Sequence, residues 1–286
     1  MILLDGKSLS DTIQQNIIKE CATLDIEPGL AVVLVGDDAP SRAYVNMKER
    51  ACQNVGFFSC KHELPQTCTQ EELLALIATL NADPKIHGIL VQLPLPKHID
   101  TSVILESIAP HKDVDGFHPY NVGRLNTNLD GFVPATPLGV MSLLESYQIS
   151  VRGKDVVIVG ASNIVGRPLA TLMLNAGASV SICHILTKDV AQYTSRADIV
   201  CVGVGKVNLI TESMIRQDAV VIDIGINRLD SGALVGDVDF ANVAKKASAI
   251  TPVPGGVGPM TIASLLQNTL KAAKQIHCDT SKGAGI

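Results

Sequence analysis

Short apolar runs alternate with amphipathic stretches along the 286 residues. Leu30 to Val35 is an unbroken aliphatic run, the pattern of a buried strand, and Gly36-Asp37-Asp38 ends it. Pro40 suits the first turn of a helix running to about Asn54, with Asp38 or Ser41 available at its cap. Phe57 to Leu64 reads as a weaker strand. Thr69 to Asn81 has apolar residues at helical spacing, with Glu71 and Glu72 in its first turn. Ile86 to Leu93 is a further strand and runs into Pro94-Leu95-Pro96. This rhythm predicts an open α/β sheet.

From about Pro110 to Pro137 Asp, Gly, Asn and Pro dominate. Such a stretch could be a linker, but a long ordered loop inside a compact chain is more often functional. Beyond it the alternation restarts. Asp155 to Val159 is a strand, followed by a turn from Gly160 to Gly166 and a helix to about Asn175. Val180–Cys183, Asp198–Val202, Ala219–Asp223 and Ala249–Thr251 read as later strands. A final helix, Met260 to Lys274, places Ile262, Leu265, Leu266, Thr269 and Leu270 on one face. The tail from Ile276 to Ile286 is expected to fray.

Composition narrows the class. With 47% hydrophobic and 18% charged residues the chain is not disordered. Aromatics are 3% and Trp is absent, so the core is aliphatic. A net charge of −5 argues against nucleic acid or an anionic membrane as partner. No run approaches the ~18 apolar residues of a membrane helix, and Asp5 interrupts the opening before a signal-peptide core could form. Seven cysteines without a CxxC pair suit a reduced, cytoplasmic protein. The histidines show no metal spacing, and no metal site is expected.

The Gly160–Gly166 turn follows a strand and opens a helix, the context of a dinucleotide fingerprint. Ser162 stands where the second glycine is usual. The helix start would offer free N–H groups and its dipole to a pyrophosphate. Gly203-Val204-Gly205 after a later strand supports this, because ligands sit outside the carboxyl ends of strands. No acid follows at the next strand tip, His184-Ile185-Leu186-Thr187, to hold a ribose 2′-hydroxyl, and Arg167 and Lys188 are the nearest cations.

Tyr44 and Lys48 lie four apart on one helix face, which Ser41 shares. They could hold a flat ligand and move a proton, or simply face solvent. A lysine base needs a value below its usual ~10.4. The Tyr-x-x-x-Lys spacing also occurs in short-chain dehydrogenases, but there it follows the nucleotide fold rather than preceding it. Gln92, at the end of an apolar strand, points to a cleft or caps the strand. Asp113 and Asp115 bracket Val114. A carboxylate there could accept two parallel N–H bonds from an aminopyrimidine, or it could close an Asx turn.

Together these blocks resemble the bifunctional methylenetetrahydrofolate dehydrogenase/methenyltetrahydrofolate cyclohydrolase family. The matching stretches are Ser41-Arg-Ala-Tyr44-Val-Asn-Met-Lys48, Gly88-Ile-Leu-Val-Gln92-Leu-Pro-Leu-Pro96 and Lys112-Asp-Val-Asp115-Gly-Phe. Ser162-Asn-Ile-Val-Gly166-Arg-Pro168, Val221-Ile-Asp-Ile-Gly225-Ile-Asn227 and Pro252-Val-Pro-Gly-Gly-Val-Gly-Pro-Met-Thr261 follow in the family's order. The resemblance implies an α/β protein of two α/β lobes, the second a Rossmann-like parallel sheet, with the active-site cleft between them. The folate lobe would span 1–136, with a C-terminal helix over 259–286 packing back on it, and the dinucleotide lobe 137–258. Lys48, Gln92, Tyr44 and Asp115 would be catalytic: Lys48 moves the proton, Gln92 tunes it, Tyr44 stacks on the aminobenzoate ring and Asp115 clasps the pterin. Ser41, Pro254, Gly255 and Gly258 would complete the folate site. Thr136, Gly160, Ala161, Ser162, Ile164, Ile185, Gly203, Gly205 and Ile226 would contact the dinucleotide.

The cofactor so implied is NADP. Family members commonly carry Arg at the position of Ala161 and Ser at that of Ile185, both on the 2′-phosphate, so their replacement opens the site to NAD. The resemblance also implies a cytoplasmic homodimer acting on tetrahydrofolate derivatives in one-carbon metabolism and purine biosynthesis. Two other readings compete. A Rossmann oxidoreductase of shikimate or amino-acid type has no use for the Asp115 and Pro254 blocks together. A non-catalytic dinucleotide-binding homologue has no use for an intact Lys48, Gln92 and Asp115.

Overall fold

The computed structural model describes residues 1–24 and 27–283. In chain order the elements are β1 (Ile2–Leu3), α1 (Gly6–Cys21), β2 (Gly29–Val35), α2 (Ala39–Asn54), β3 (Phe58–Leu64), α3 (Gln70–Ala82), β4 (Gly88–Val91), α4 (Thr101–Ser107), α5 (Pro119–Asn126) and α6 (Ala135–Ser146). There follow β5 (Asp155–Val159), α7 (Gly166–Asn175), β6 (Ser179–Cys183), α8 (Ala191–Thr194), β7 (Ile199–Val202), β8 (Val220–Asp223), β9 (Asn227–Arg228), β10 (Leu234–Val235), α9 (Phe240–Val243), β11 (Ala249–Ile250) and α10 (Val257–Gly283).

The elements divide into two compact units. One holds residues 12–135 and the chain from Leu265 onward; the other holds residues 1–11 and 136–264. In the first, β2 lies between β3 and β4 in a parallel three-stranded sheet. Every residue of β2 is buried, as the continuous run Gly29 to Val35 requires. Ala31, Val33 and Ile89 pack with Leu73 and Ile77 of α3 and Ile104 of α4. α3 begins with a complete capping box: Thr69 accepts from Glu72 N–H, and the Glu72 side chain accepts from Thr69 N–H.

The second unit is a six-stranded, all-parallel sheet of order β1-β11-β8-β7-β5-β6. Alternate side chains of β5 serve opposite faces. Val156 and Ile158 join Leu143, Leu169 and Met173, while Val157 and Val159 join Val200, Val221 and Val243. Strand order reverses across β5 and β7, the place where an open α/β sheet binds ligands.

The structure corrects four expectations. Residues 1–11 belong with 136–264 rather than with the folate lobe, because β1 pairs with β11 and Ser10 Oγ donates to the Pro259 carbonyl. The final helix divides between the units: 257–264 lie in the sheet unit, and only Leu265 onward packs with 12–135. The tail does not fray at Ile276, since α10 continues through Gly283, and the last three residues lie outside the described residues. The Asp- and Gly-rich stretch is no simple loop either, as α5 occupies its middle.

Candidate active site

In the unit of 12–135, α2 starts as its sequence dictates. Pro40 sits in the first turn, and Asp38 caps it by accepting from both the N–H and the hydroxyl of Ser41, at 2.9 and 2.7 Å. The buried Ser41 thus commits its hydroxyl proton to the cap. Val45 and Cys52 anchor the helix inward, and Tyr44 and Lys48 are both part-buried.

Lys48 Nζ donates to Gln92 Oε1 at 3.0 Å. Gln92 follows β4 directly, and its backbone N–H donates to the Val33 carbonyl, so the residue is held in sheet register. Its side-chain Nε2 donates to the Leu93 carbonyl at 2.7 Å. That bond turns the amide oxygen toward the lysine and leaves a single orientation of the amide. The peptide bonds before Pro94 and Pro254 are cis.

The Asp113–Val114–Asp115 segment is built against β4. Ile89 N–H donates to the Lys112 carbonyl, and Ile89 bridges Asp113. Val114, fully buried, fills the space beside Gly88, where a Cβ would meet Val114 Cγ1 at 2.7 Å. The two carboxylates then have separate fates. Asp113 accepts from the N–H groups of Phe117 and His118 and from Asn121 Nδ2, a buried turn-closing set. Among the described residues no hydrogen bond to the Asp115 carboxylate is formed, which leaves it open to a ligand. Asn268 of α10 fixes the segment from behind, donating to the Val114 and Val133 carbonyls at 2.8 and 2.9 Å.

Electrostatics follow from this burial. Desolvation pulls Lys48 below the usual lysine value, against the opposing charge of Asp115. Asp115 is pushed up to about 6, chiefly by desolvation, with Lys48 pulling it down and Asp113 up. Burial also raises the Tyr44 phenol. A lysine whose charged form burial disfavours, an amide that orients it and a carboxylate that titrates at about 6 can together move a proton and hold a polar ring.

In the unit of 136–264 the turn after β5 has the geometry of a dinucleotide loop. Gly160 has φ of 123°. A Cβ there would meet the Gly203 carbonyl oxygen at 2.7 Å, and one at Gly166 would meet the Gly160 oxygen at 1.9 Å. The turns after β5 and β7 therefore touch through bare backbone at the switch point, which suits close approach of a dinucleotide. The free N–H groups expected at the start of α7 are taken: Ser162 Oγ accepts from Val165 and Gly166, and the Ser162 carbonyl accepts from Arg167. The exposed Ser162 keeps its own O–H to donate to an anion.

Ile164 and Ile226 are about two-fifths exposed, and Ile185, at the tip beyond β6, is 98% exposed. Arg167 Nε donates to the Ala161 carbonyl, folding over that turn. Thr136 and Thr261 share a 2.9 Å hydroxyl contact. Gly258 lies within 3.6 Å, by its would-be Cβ, of Ile226 Cδ1. The Gly255 carbonyl accepts from Lys7 N–H, and Pro254 is exposed.

Residues 4–115 match the family model described as tetrahydrofolate dehydrogenase/cyclohydrolase, catalytic domain, and residues 134–277 match the corresponding NAD(P)-binding domain. The chain belongs to the tetrahydrofolate dehydrogenase/cyclohydrolase family. It is 68% identical over 276 residues to the bifunctional protein FolD of Helicobacter hepaticus, covering 96% of each chain. The crystal structure of the bifunctional FolD dehydrogenase/cyclohydrolase from Campylobacter jejuni is 58% identical, with TM-score 0.95, covering 96% of this chain and 99% of that one. The Trypanosoma brucei FolD, solved with NADP cofactor and inhibitor, is 38% identical, with TM-score 0.93 and coverage of 96% and 98%.

Within this family member, Lys48, Gln92 and Asp115 share one unit, and Gly160, Gly203, Ile226 and Gly258 share the other. Pro254, Gly255 and Gly258 fall in the second unit, apart in sequence and unit from the other folate candidates. Spacing alone left Asp113 and Asp115 equivalent, the family resemblance picked out Asp115, and neither pointed to Asn268. The signal for Asn268 was an amide among Leu265, Leu266, Thr269 and Leu270, where only a partnered polar group is tolerated.

Proposed function

We propose that the chain oxidises 5,10-methylenetetrahydrofolate to 5,10-methenyltetrahydrofolate with a nicotinamide dinucleotide, then hydrolyses the product to 10-formyltetrahydrofolate. The observation that carries this is the Lys48–Gln92 bond, with Asp115 biasing its charge, in a chain matching both domain models of the family.

When bound, the nicotinamide ring supplies the hydride acceptor. The methylene carbon loses hydride and no proton, so the protein's task in this step is positioning. Tyr44 stacks on the aminobenzoate ring. Asp115, which no donor among the described residues occupies, accepts paired N–H bonds from the aminopyrimidine of the pterin. Pro254, Gly255 and Gly258 offer the folate backbone and little side chain. Water then adds to the delocalised methenyl cation and loses a proton, and N5 must depart carrying one. Lys48 handles that proton: in its amine form, which burial favours, it takes one from the water, the ammonium so formed passes it to N5, and the remaining hydroxyl proton leaves to solvent as the formyl carbonyl forms. Gln92 keeps the amine on line.

NADP is the dinucleotide, and NAD is accepted beside it. Ala161 brings no charge to the 2′ position, and the tip beyond β6 offers the solvent-facing Ile185 and Leu186. On the same reading the enzyme is a homodimer of the cytoplasm that supplies one-carbon units for purine synthesis. Steady-state rates with methylenetetrahydrofolate and each dinucleotide test the proposal. Reduced nicotinamide is expected with both, and its absence with both sinks the dehydrogenase reading.

A further inference from the structure

The loop after β7 raises a separate question. Val204, Gly205 and Lys206 are exposed, yet their backbone is held from beneath by one wholly buried carboxylate. Asp237 Oδ2 accepts from Val204 and Gly205 N–H at 2.7 and 3.0 Å, and Oδ1 accepts from Lys206 N–H at 2.8 Å. Asn227 Nδ2 adds a fourth donor at 2.9 Å. Three successive N–H groups converging on an anion are the kind of nest that binds phosphate. Here the protein's own carboxylate fills it.

Asp237 is itself held in place. Asp223, at the end of β8, accepts from the N–H groups of Gly225, Asp237 and Val238 at 3.0, 3.0 and 2.9 Å. The fit leaves no room for side chains: a Cβ on Gly225 would lie 2.3 Å from Asp237 Cγ, and one on Gly236 would lie 1.9 Å from Asp223 Oδ2. The far end of this chain of contacts is the Gly203 carbonyl resting on Gly160.

We propose that Asp237 is a positioning residue for the dehydrogenase reaction. Through Val204, Gly205 and Lys206 it fixes the β7 loop at the height where the loop meets Gly160, and so sets the floor on which the dinucleotide lies. The loop contributes shape and not donors, because its donors are spent. Four donors also solvate the carboxylate, and their dipoles offset part of its repulsion toward a pyrophosphate. This inference rests on the dehydrogenase reading above.

The test is Asp237→Asn, which keeps size but turns an NH2 group toward N–H donors. Cyclohydrolase activity on added methenyltetrahydrofolate needs no dinucleotide and serves as the internal control. The expected result is a dinucleotide KM raised about tenfold or more, with cyclohydrolase within about twofold of the wild type. A milder variant, Asn227→Ala, removes one donor of four and is expected to raise the same KM about threefold; it carries the test if Asp237→Asn does not fold. An unchanged or lower dinucleotide KM, or a parallel fall of both activities in the folded variants, overturns the proposal. A wild-type protein that turns over no methylenetetrahydrofolate overturns the dehydrogenase reading instead.

Discussion

Replacing Lys48 by Met separates proton transfer from binding. The thioether matches the lysine stem in length and suits a half-buried position, while the amino group that donates to Gln92 at 3.0 Å is removed. A positioned acid–base group contributes ~10²–10⁴ in rate, so the barrier to methenyl hydrolysis should rise by about 3–5.5 kcal/mol. One secondary effect must be separated. Lys48 holds Asp115 down, and without it the carboxyl climbs above about 6 and is partly protonated near neutrality. Folate binding is then weakened at pH 7 for a reason unrelated to proton transfer. The assay therefore runs near pH 8, well above the Asp115 value of about 6, which favours the ionised carboxylate in both proteins. Loss of methenyl absorbance is followed at saturating substrate with the uncatalysed rate subtracted, and folate affinity is measured by calorimetry. Hydrolysis should fall at least about a hundredfold with folate still bound. Hydrolysis at the wild-type rate refutes Lys48 as the proton carrier, and loss of folate binding at pH 8 assigns it to binding instead.

Other consequences can be measured with the same preparations. As pH falls through about 6 the Asp115 carboxyl gains a proton and ceases to accept paired N–H bonds, so folate KM should climb on the acid side; Asp115→Asn should bind weakly and flatten that limb. Ala161→Arg should shift the KM ratio toward NADP by about tenfold or more through a charge-assisted bond to the 2′-phosphate, and an unchanged ratio removes that account. Gly88→Ala drives a Cβ to 2.7 Å from Val114 Cγ1, which should cost about 1–3 kcal/mol and lower Tm by several degrees in a thermal melt.

Much of the fold is visible along the chain, for identifiable reasons. β2 and α3 announce themselves because an unbroken aliphatic run and apolar residues at helical spacing behind Glu71 and Glu72 are local signals, and the structure bounds them within a residue or two of expectation. β1 is hidden because two residues cannot show a period, and its partner β11 lies nearly 250 residues away. α6, Ala135–Ser146, begins inside the Pro-rich stretch, and a threonine and a proline in its first turn mask its apolar face. Spacing makes Asp113 and Asp115 equivalent, and only the family resemblance singled out Asp115. The physical separation comes from the donors of Phe117, His118 and Asn121, which occupy Asp113. The contact of Ile226 with Gly258 and the anchoring of Val114 by Asn268 are products of tertiary folding alone.

The central claim is that one chain carries out both the oxidation and the hydrolysis. The purified protein is given methylenetetrahydrofolate and NADP, with no other enzyme present, and reduced nicotinamide and 10-formyltetrahydrofolate are measured in the same sample. The two should accumulate in equal amounts once methenyl intermediate reaches its steady level. Reduced nicotinamide without 10-formyl product above the uncatalysed rate, or neither product, contradicts the account.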